Sequence, residues 1–90
     1  MKLSDQASIP AQVMGRQVGA EAVILDLARG TYYGLDAVGA RIWQLITEGK
    51  TFDAICDVLV NEFETTRETL AVDVIALARQ LAAKGLLGSA

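Results

Sequence analysis

Few residues in this 90-residue chain could do chemistry, and histidine is absent. That removes the commonest general base, the commonest metal ligand and the usual partner of a nucleophilic Ser or Cys. The one cysteine, Cys56, sits among Phe52, Ile55, Leu59, Val60 and Phe63, which recur at helical spacing. A reactive thiol wants exposure and a cationic neighbour. A cysteine inside an apolar stripe reads instead as a small core hydrophobe, and a lone one excludes an internal disulfide. Of the acidic residues, Asp36 stands where a helix N-cap belongs. Thr65-Thr66-Arg67-Glu68 has the Thr-x-x-Glu form of a capping box. No carboxylate pair is placed for acid–base work, and there is no Gly-rich phosphate loop. The expectation is a protein that is not an enzyme, with no catalytic residues, no metal ligands and no cofactor. Its chemistry would be binding.

The element that offers a binding surface is a hairpin. Ala22–Leu27 is β-branched and apolar, with Val23, Leu25 and Leu27 recurring at period two. Thr31-Tyr32-Tyr33-Gly34-Leu35 is a second strand-like run, joined to the first through Ala28-Arg29-Gly30. Two such runs with a short glycine-containing connection predict a hairpin. Val13–Val18 adds a strand of moderate character, turning at Gly19-Ala20, so the sheet has three antiparallel strands. Its last strand is placed at an edge, where unpaired N–H and C=O groups are exposed. Upstream, Met1–Ala11 reads as irregular, broken by Pro10, with Leu3, Ala7 and Ile9 able to pack on the sheet.

Three helices follow. The first is predicted over 37–47, capped by Asp36 and ended by Gly49. The second, over 52–63, starts from Thr51. The third runs over 66–84, with Gly85 past its end and Leu86-Leu87 folding back on the core. At about 100° per residue, Leu70, Val74, Leu77 and Leu81 form the core stripe of the third helix. Thr69, Asp73, Ala76 and Gln80 fall on a solvated side. Ala71, Ile75 and Ala82, with Glu68, Val72 and Arg79 beside them, make a shoulder. Either that shoulder packs on the sheet or another helix, or it walls a groove beside the exposed strand. In the second case the small residues leave room, Val72 and Ile75 supply apolar contact, and Glu68 and Arg79 fix polar ends. That layout suits β-augmentation, in which a peptide adds as an extra strand. Tyr32 and Tyr33, adjacent on a strand, point to opposite faces. Tyr33 is expected to join Leu35 at the core and Tyr32 to lie on the other face.

The totals bound the class. Ninety residues make one domain, able to bury roughly 60–65% of its unfolded surface. Eight basic against eleven acidic residues argue against nucleic acid as a partner. No apolar run reaches the roughly 18 residues of a membrane span, and Met1–Gln6 lacks a signal core. A cytoplasmic protein is expected.

From Val23-Ile24-Leu25-Asp26-Leu27, through Gly30-Thr31-Tyr32-Tyr33-Gly34-Leu35-Asp36, to Gly39-Ala40-Arg41-Ile42-Trp43, the chain resembles the PqqD-like family. These are leader-recognition domains of ribosomally made, post-translationally modified peptides (RiPPs). Glu48-Gly49-Lys50-Thr51 and Leu81-Ala82-Ala83-Lys84-Gly85-Leu86-Leu87 extend the resemblance to residues 3–87. It is most like the stand-alone RiPP recognition elements of lasso peptide clusters. The resemblance implies an α+β winged helix-turn-helix: a three-stranded antiparallel sheet followed by three helices. It also implies that a precursor's leader peptide lies as an added strand on the third strand, beside the third helix. By position, the peptide-binding residues are then Gly30, Thr31, Tyr32, Tyr33, Gly34 and Leu35 on the strand, with Glu68, Ala71, Val72, Ile75 and Arg79 on the helix. The implied partner besides the leader is a leader peptidase of cysteine-protease type, and the implied state is a monomer when peptide-bound.

Two other readings compete. A winged-helix DNA-binding regulator would use the same elements. Its recognition helix, however, would carry Arg67, Arg79 and Lys84 against Glu68 and Asp73, nearly neutral where a groove reader needs a basic face. A scaffolding protein could instead pair its open strand edge with a second copy.

Overall fold

The hairpin around Gly30 forms, and Asp26 builds its turn. Asp26 Oδ1 accepts from the backbone N–H groups of Ala28 and Arg29, both at 3.1 Å. The Gly30 N–H donates to the Asp26 carbonyl at 2.8 Å. Gly30 has φ +70°, the left-handed region that favours glycine. The computed structural model describes residues 1–89. Its elements are β1 (Ala7–Ser8), β2 (Val13–Val18), β3 (Glu21–Asp26), β4 (Thr31–Leu35), α1 (Ala37–Thr47), α2 (Phe52–Glu62), α3 (Arg67–Ala83) and β5 (Gly88–Ser89). The main sheet is antiparallel in the order β2-β3-β4, so β4 is an edge strand. Three antiparallel strands followed by three helices is the α+β architecture expected.

The structure fixes the inward face of β3 and corrects three local readings. Ala22, Ile24 and Asp26 are the buried residues of β3, while Leu27 is exposed and Val23 and Leu25 are half-buried. Both faces of β3 are apolar, so period two alone left the phase undetermined. A carboxylate is tolerated inside because the turn amides satisfy one of its oxygens. The N-cap of α3 is Thr66, which accepts from the Thr69 N–H at 3.1 Å, so the Thr65/Glu68 capping box is not the one used. Part of Met1–Ala11 is ordered as β1, which pairs antiparallel with β5. Two-residue strands carry no periodicity to read. In α3 the fully buried residues are Val74, Ala78 and Leu81, with Leu70 beside them, whereas Leu77 is only half-buried.

The core lies between the sheet and the helices. α1 crosses β3 with Ile42, Trp43, Leu45 and Ile46 buried. Gly15 on β2 lets the Trp43 indole lie flush, since a Cβ there would overlap the indole nitrogen. Gly39 has a similar role in α1, where a Cβ would stand 3.3 Å from the Leu35 side chain. α2 and α3 pack face to face through Phe52, Ile55, Cys56 and Leu59 against Leu70, Val74, Ala78 and Leu81. Cys56 is fully buried, and that burial pushes its thiol above the ordinary range. Arg67 reaches back from α3 to Asp53 and Asp57. Arg41 holds Glu62 through two 2.8 Å bonds, tying α1 to α2 and keeping the Glu62 carboxyl below the usual carboxylate range. The first residues are pinned to the start of α2, where the Phe52 and Asp53 N–H groups donate to the carbonyls of Asp5 and Leu3.

Candidate functional site

β4 pairs with β3 on one side only, and among the described residues no strand pairs with its other edge. Tyr33 and Leu35 turn toward the helices, with Leu35 buried and Tyr33 half-buried. Tyr32 turns the other way and is 77% exposed, in register with Leu25 and Met14 across the outer sheet face. These are the orientations that strand alternation predicts.

Beside the β4 edge runs a cleft of about 390 Å³. Tyr33, Gly34 and Leu35 form one wall, Val38, Gly39 and Ile42 of α1 line it further, and Asp73 and Leu77 of α3 stand opposite. Asp36 closes one end, with Oδ1 capping α1 through a 2.8 Å bond from the Gly39 N–H. Toward the hairpin turn a second hollow of about 360 Å³ continues along the same strand, lined by Arg29, Thr31, Tyr32, Tyr33, Lys84 and Leu86. Tyr33 belongs to both. Its hydroxyl donates to Gln80 Oε1 at 3.2 Å, spanning β4 to α3, and Lys84 Nζ lies 5.4 Å from its ring centroid. The strand residues singled out from sequence, Thr31 to Leu35, therefore all border this two-part groove, while Gly30 sits in the turn at its lower end.

The helix residues singled out from sequence are elsewhere. Ala71, Val72, Ile75 and Arg79 line a separate hollow of about 450 Å³ together with Met1, Leu3 and Ala76. Glu68 borders a shallower depression with Thr69, Val72 and Asp73. The shoulder faces the N-terminal segment rather than β4. The flank of α3 that meets the groove is Asp73, Leu77, Gln80 and Lys84, at i, i+4, i+7 and i+11. A helical wheel gives the angle between two flanks but not which neighbour lies at each. Asp73 and Gln80 pass for solvated surface because a groove open to water wets its own wall. The signal for this flank was its mixture of polar and apolar residues directly beside the buried stripe.

Among the described residues, no group of three or more His, Cys, Asp or Glu is placed to hold a metal ion. No helix among them is long and apolar enough to cross a membrane. What the groove offers is a strand edge, apolar walls and charged ends.

Known proteins resemble the chain in the same region. Residues 21–87, from β3 to the segment after α3, match the family described as coenzyme PQQ synthesis protein D (PqqD). TbiB1, solved in complex with the TbiA(beta) leader peptide, is 42% identical, with 89% of this chain and 93% of that one aligned at a TM-score of 0.84. A lasso peptide synthetase B1 complexed with the leader peptide shares the fold at a TM-score of 0.84 and 24% identity, over 91% of this chain and 96% of that one. Comparison with curated proteins gives no match.

Proposed function

The chain belongs to the PqqD family, and from that premise we propose that it binds the leader of a ribosomally made precursor peptide and presents it to a maturation enzyme of a lasso-type pathway. The leader adds as a strand to β4. Backbone groups at the edge supply hydrogen bonds, each worth about 0.5–1.5 kcal/mol net, and set no sequence preference. Selectivity comes from alternate side chains of the added strand, which drop between β4 and α3 against Leu35, Val38, Ile42 and Leu77. The protein acts without catalysis: it holds and orients a substrate on which a leader peptidase of cysteine-protease type acts. In the complex the edge is filled, so the peptide-bound protein is a monomer.

One observation carries the reading. The unpartnered edge beside an apolar cleft occurs in a chain that is 42% identical, over nearly its whole length, to a protein solved with a leader peptide. Fluorescence anisotropy tests it, with two labelled probes: the TbiA(beta) leader peptide and the leader of a short precursor encoded beside this chain. Saturable binding at micromolar or tighter affinity, lost when a Tyr or Pro of the leader is replaced, is expected. Failure of both peptides to bind, or sequence-specific DNA binding at low salt, would overturn it.

A further inference from the structure

The groove beside β4 has opposite charges at its two ends. At the α1 end stand the carboxylates of Asp36 and Asp73. Asp73 makes no hydrogen bond or ion pair among the described residues, and Asp36 uses one oxygen for its cap. Glu68 lies in the depression next to Asp73 and adds to the same sign. At the hairpin end stand Lys84, whose ammonium lies over the face of Tyr33, and Arg29, whose largely exposed guanidinium is 3.9 Å from Asp26. Two nearby cations are neutralised, Arg67 by Asp53 and Asp57 and Arg41 by Glu62, and Arg79 lines the other flank's hollow beside Met1 and Leu3. The helix dipole accounts for Lys84 at the end of α3 and Glu68 in its first turn. It does not account for Asp73, seven residues into a 17-residue helix, because that effect fades within the terminal turns.

We infer that the groove selects a leader segment of matching polarity: a cationic side chain where the strand passes Asp36 and Asp73, and an anionic one where it passes Lys84 and Arg29. The inference rests on the leader-binding reading above and names the chemistry of the segment bound. Peptide residues facing Leu35 and Thr31 are four apart, about 13 Å along a strand. Every pair in this sheet is antiparallel, and that pairing is the slightly more stable one. A strand continuing the order therefore carries Lys or Arg first and Asp or Glu about four residues later. The charge order sets the direction and register that backbone hydrogen bonds leave open.

The test is a charge scan. A leader peptide, TbiA(beta) or that of the precursor encoded beside this chain, is made with each position in turn replaced by Lys and by Glu. Each version is titrated by anisotropy against the wild-type protein, Asp73→Lys and Lys84→Glu, all checked for folding by circular dichroism. Both side chains are exposed, so both variants are expected to fold, and Asp73→Asn and Lys84→Gln provide milder versions of each. In the wild type one position should prefer Lys over Glu by about threefold to fivefold, the size of an exposed ion pair. A position about four residues later should prefer Glu. The first preference should invert only in Asp73→Lys, the second only in Lys84→Glu, and both should shrink at about 0.5 M salt. Preferences that are absent, or that stay the same in both variants, would overturn the inference while leaving leader binding intact. The scan is run on whichever of the two leaders binds; if neither unsubstituted leader binds the wild type, the leader-binding reading fails and this inference falls with it.

Discussion

Two hollows flank α3, and they differ in what forms the far wall. On one flank Asp73 and Leu77 look across at β4, whose outer edge is unpartnered. On the other, Ala71, Val72, Ile75 and Arg79 look at Met1 and Leu3, in a segment already tied by backbone hydrogen bonds to α2. Both have apolar linings, and by volume the second is the larger. Size and apolarity therefore do not separate them. The presence of free backbone donors and acceptors does, because a peptide arriving as a strand needs an edge to pair with. The first hollow is a place where an extended chain continues the sheet. The second is a seam between elements of the protein itself.

Truncating the two flanks should separate these roles most widely. Leu77→Ala is expected to weaken leader affinity by about tenfold or more, as for a side chain at the centre of a contact. Ile75→Ala should leave affinity within about twofold and instead lower stability by about 1–2 kcal/mol, since its half-buried side chain packs on the core. Anisotropy and thermal melting on both variants measure this contrast, and a reversed pattern would move the site to the other hollow. A smaller effect should distinguish the two tyrosines. Tyr33→Ala, which lines both hollows, should cost about fivefold in affinity, whereas Tyr32→Ala, which borders only the hairpin-end hollow and otherwise turns outward, should stay within about twofold. Equal losses would mean that the leader wraps over the strand onto the outer sheet.

The smallest effect belongs to the core beneath both hollows. Burial raises the pKa of the Cys56 thiol, so the folded state keeps its proton at a pH where the unfolded chain loses it. The folded state holds more protons over that range, and stability declines with rising pH there. Denaturant midpoints should be flat with respect to this group below the unfolded value of about 8.5 and fall as pH climbs above it. Leader affinity should not follow that fall. A thiol reagent should modify Cys56 only after unfolding.

Features decided within a few residues were legible in the sequence. Asp36 and Thr51 cap α1 and α2, accepting from the Gly39 and Ala54 N–H groups, because a short polar side chain before an apolar run needs nothing from the rest of the chain. Gly49 and Gly85 follow the ends of α1 and α3 at positive φ for the same local reason. The opposed faces of Tyr32 and Tyr33 followed from the pleat alone. What escaped depends on distant neighbours. The inward face of β3 is chosen by an Asp26 carboxylate that the turn satisfies, which reads as a polar interruption in an apolar run. β1 and β5 exist only because chain ends some eighty residues apart meet. The groove flank of α3 reads as part core, at Leu77, and part water, at Asp73 and Gln80, because the direction in which α3 crosses β4 is not written in its own periodicity.

The most direct test of the central claim is amide hydrogen exchange, residue by residue, with and without bound leader. A leader adding to the sheet at β4 should protect amides within Thr31–Leu35 that exchange freely without it. It should leave β2, the other edge, and the Ala71–Ile75 flank of α3 unchanged. New protection along Val13–Val18, or at the hollow beside Met1 and Leu3 with β4 unaltered, would contradict the account.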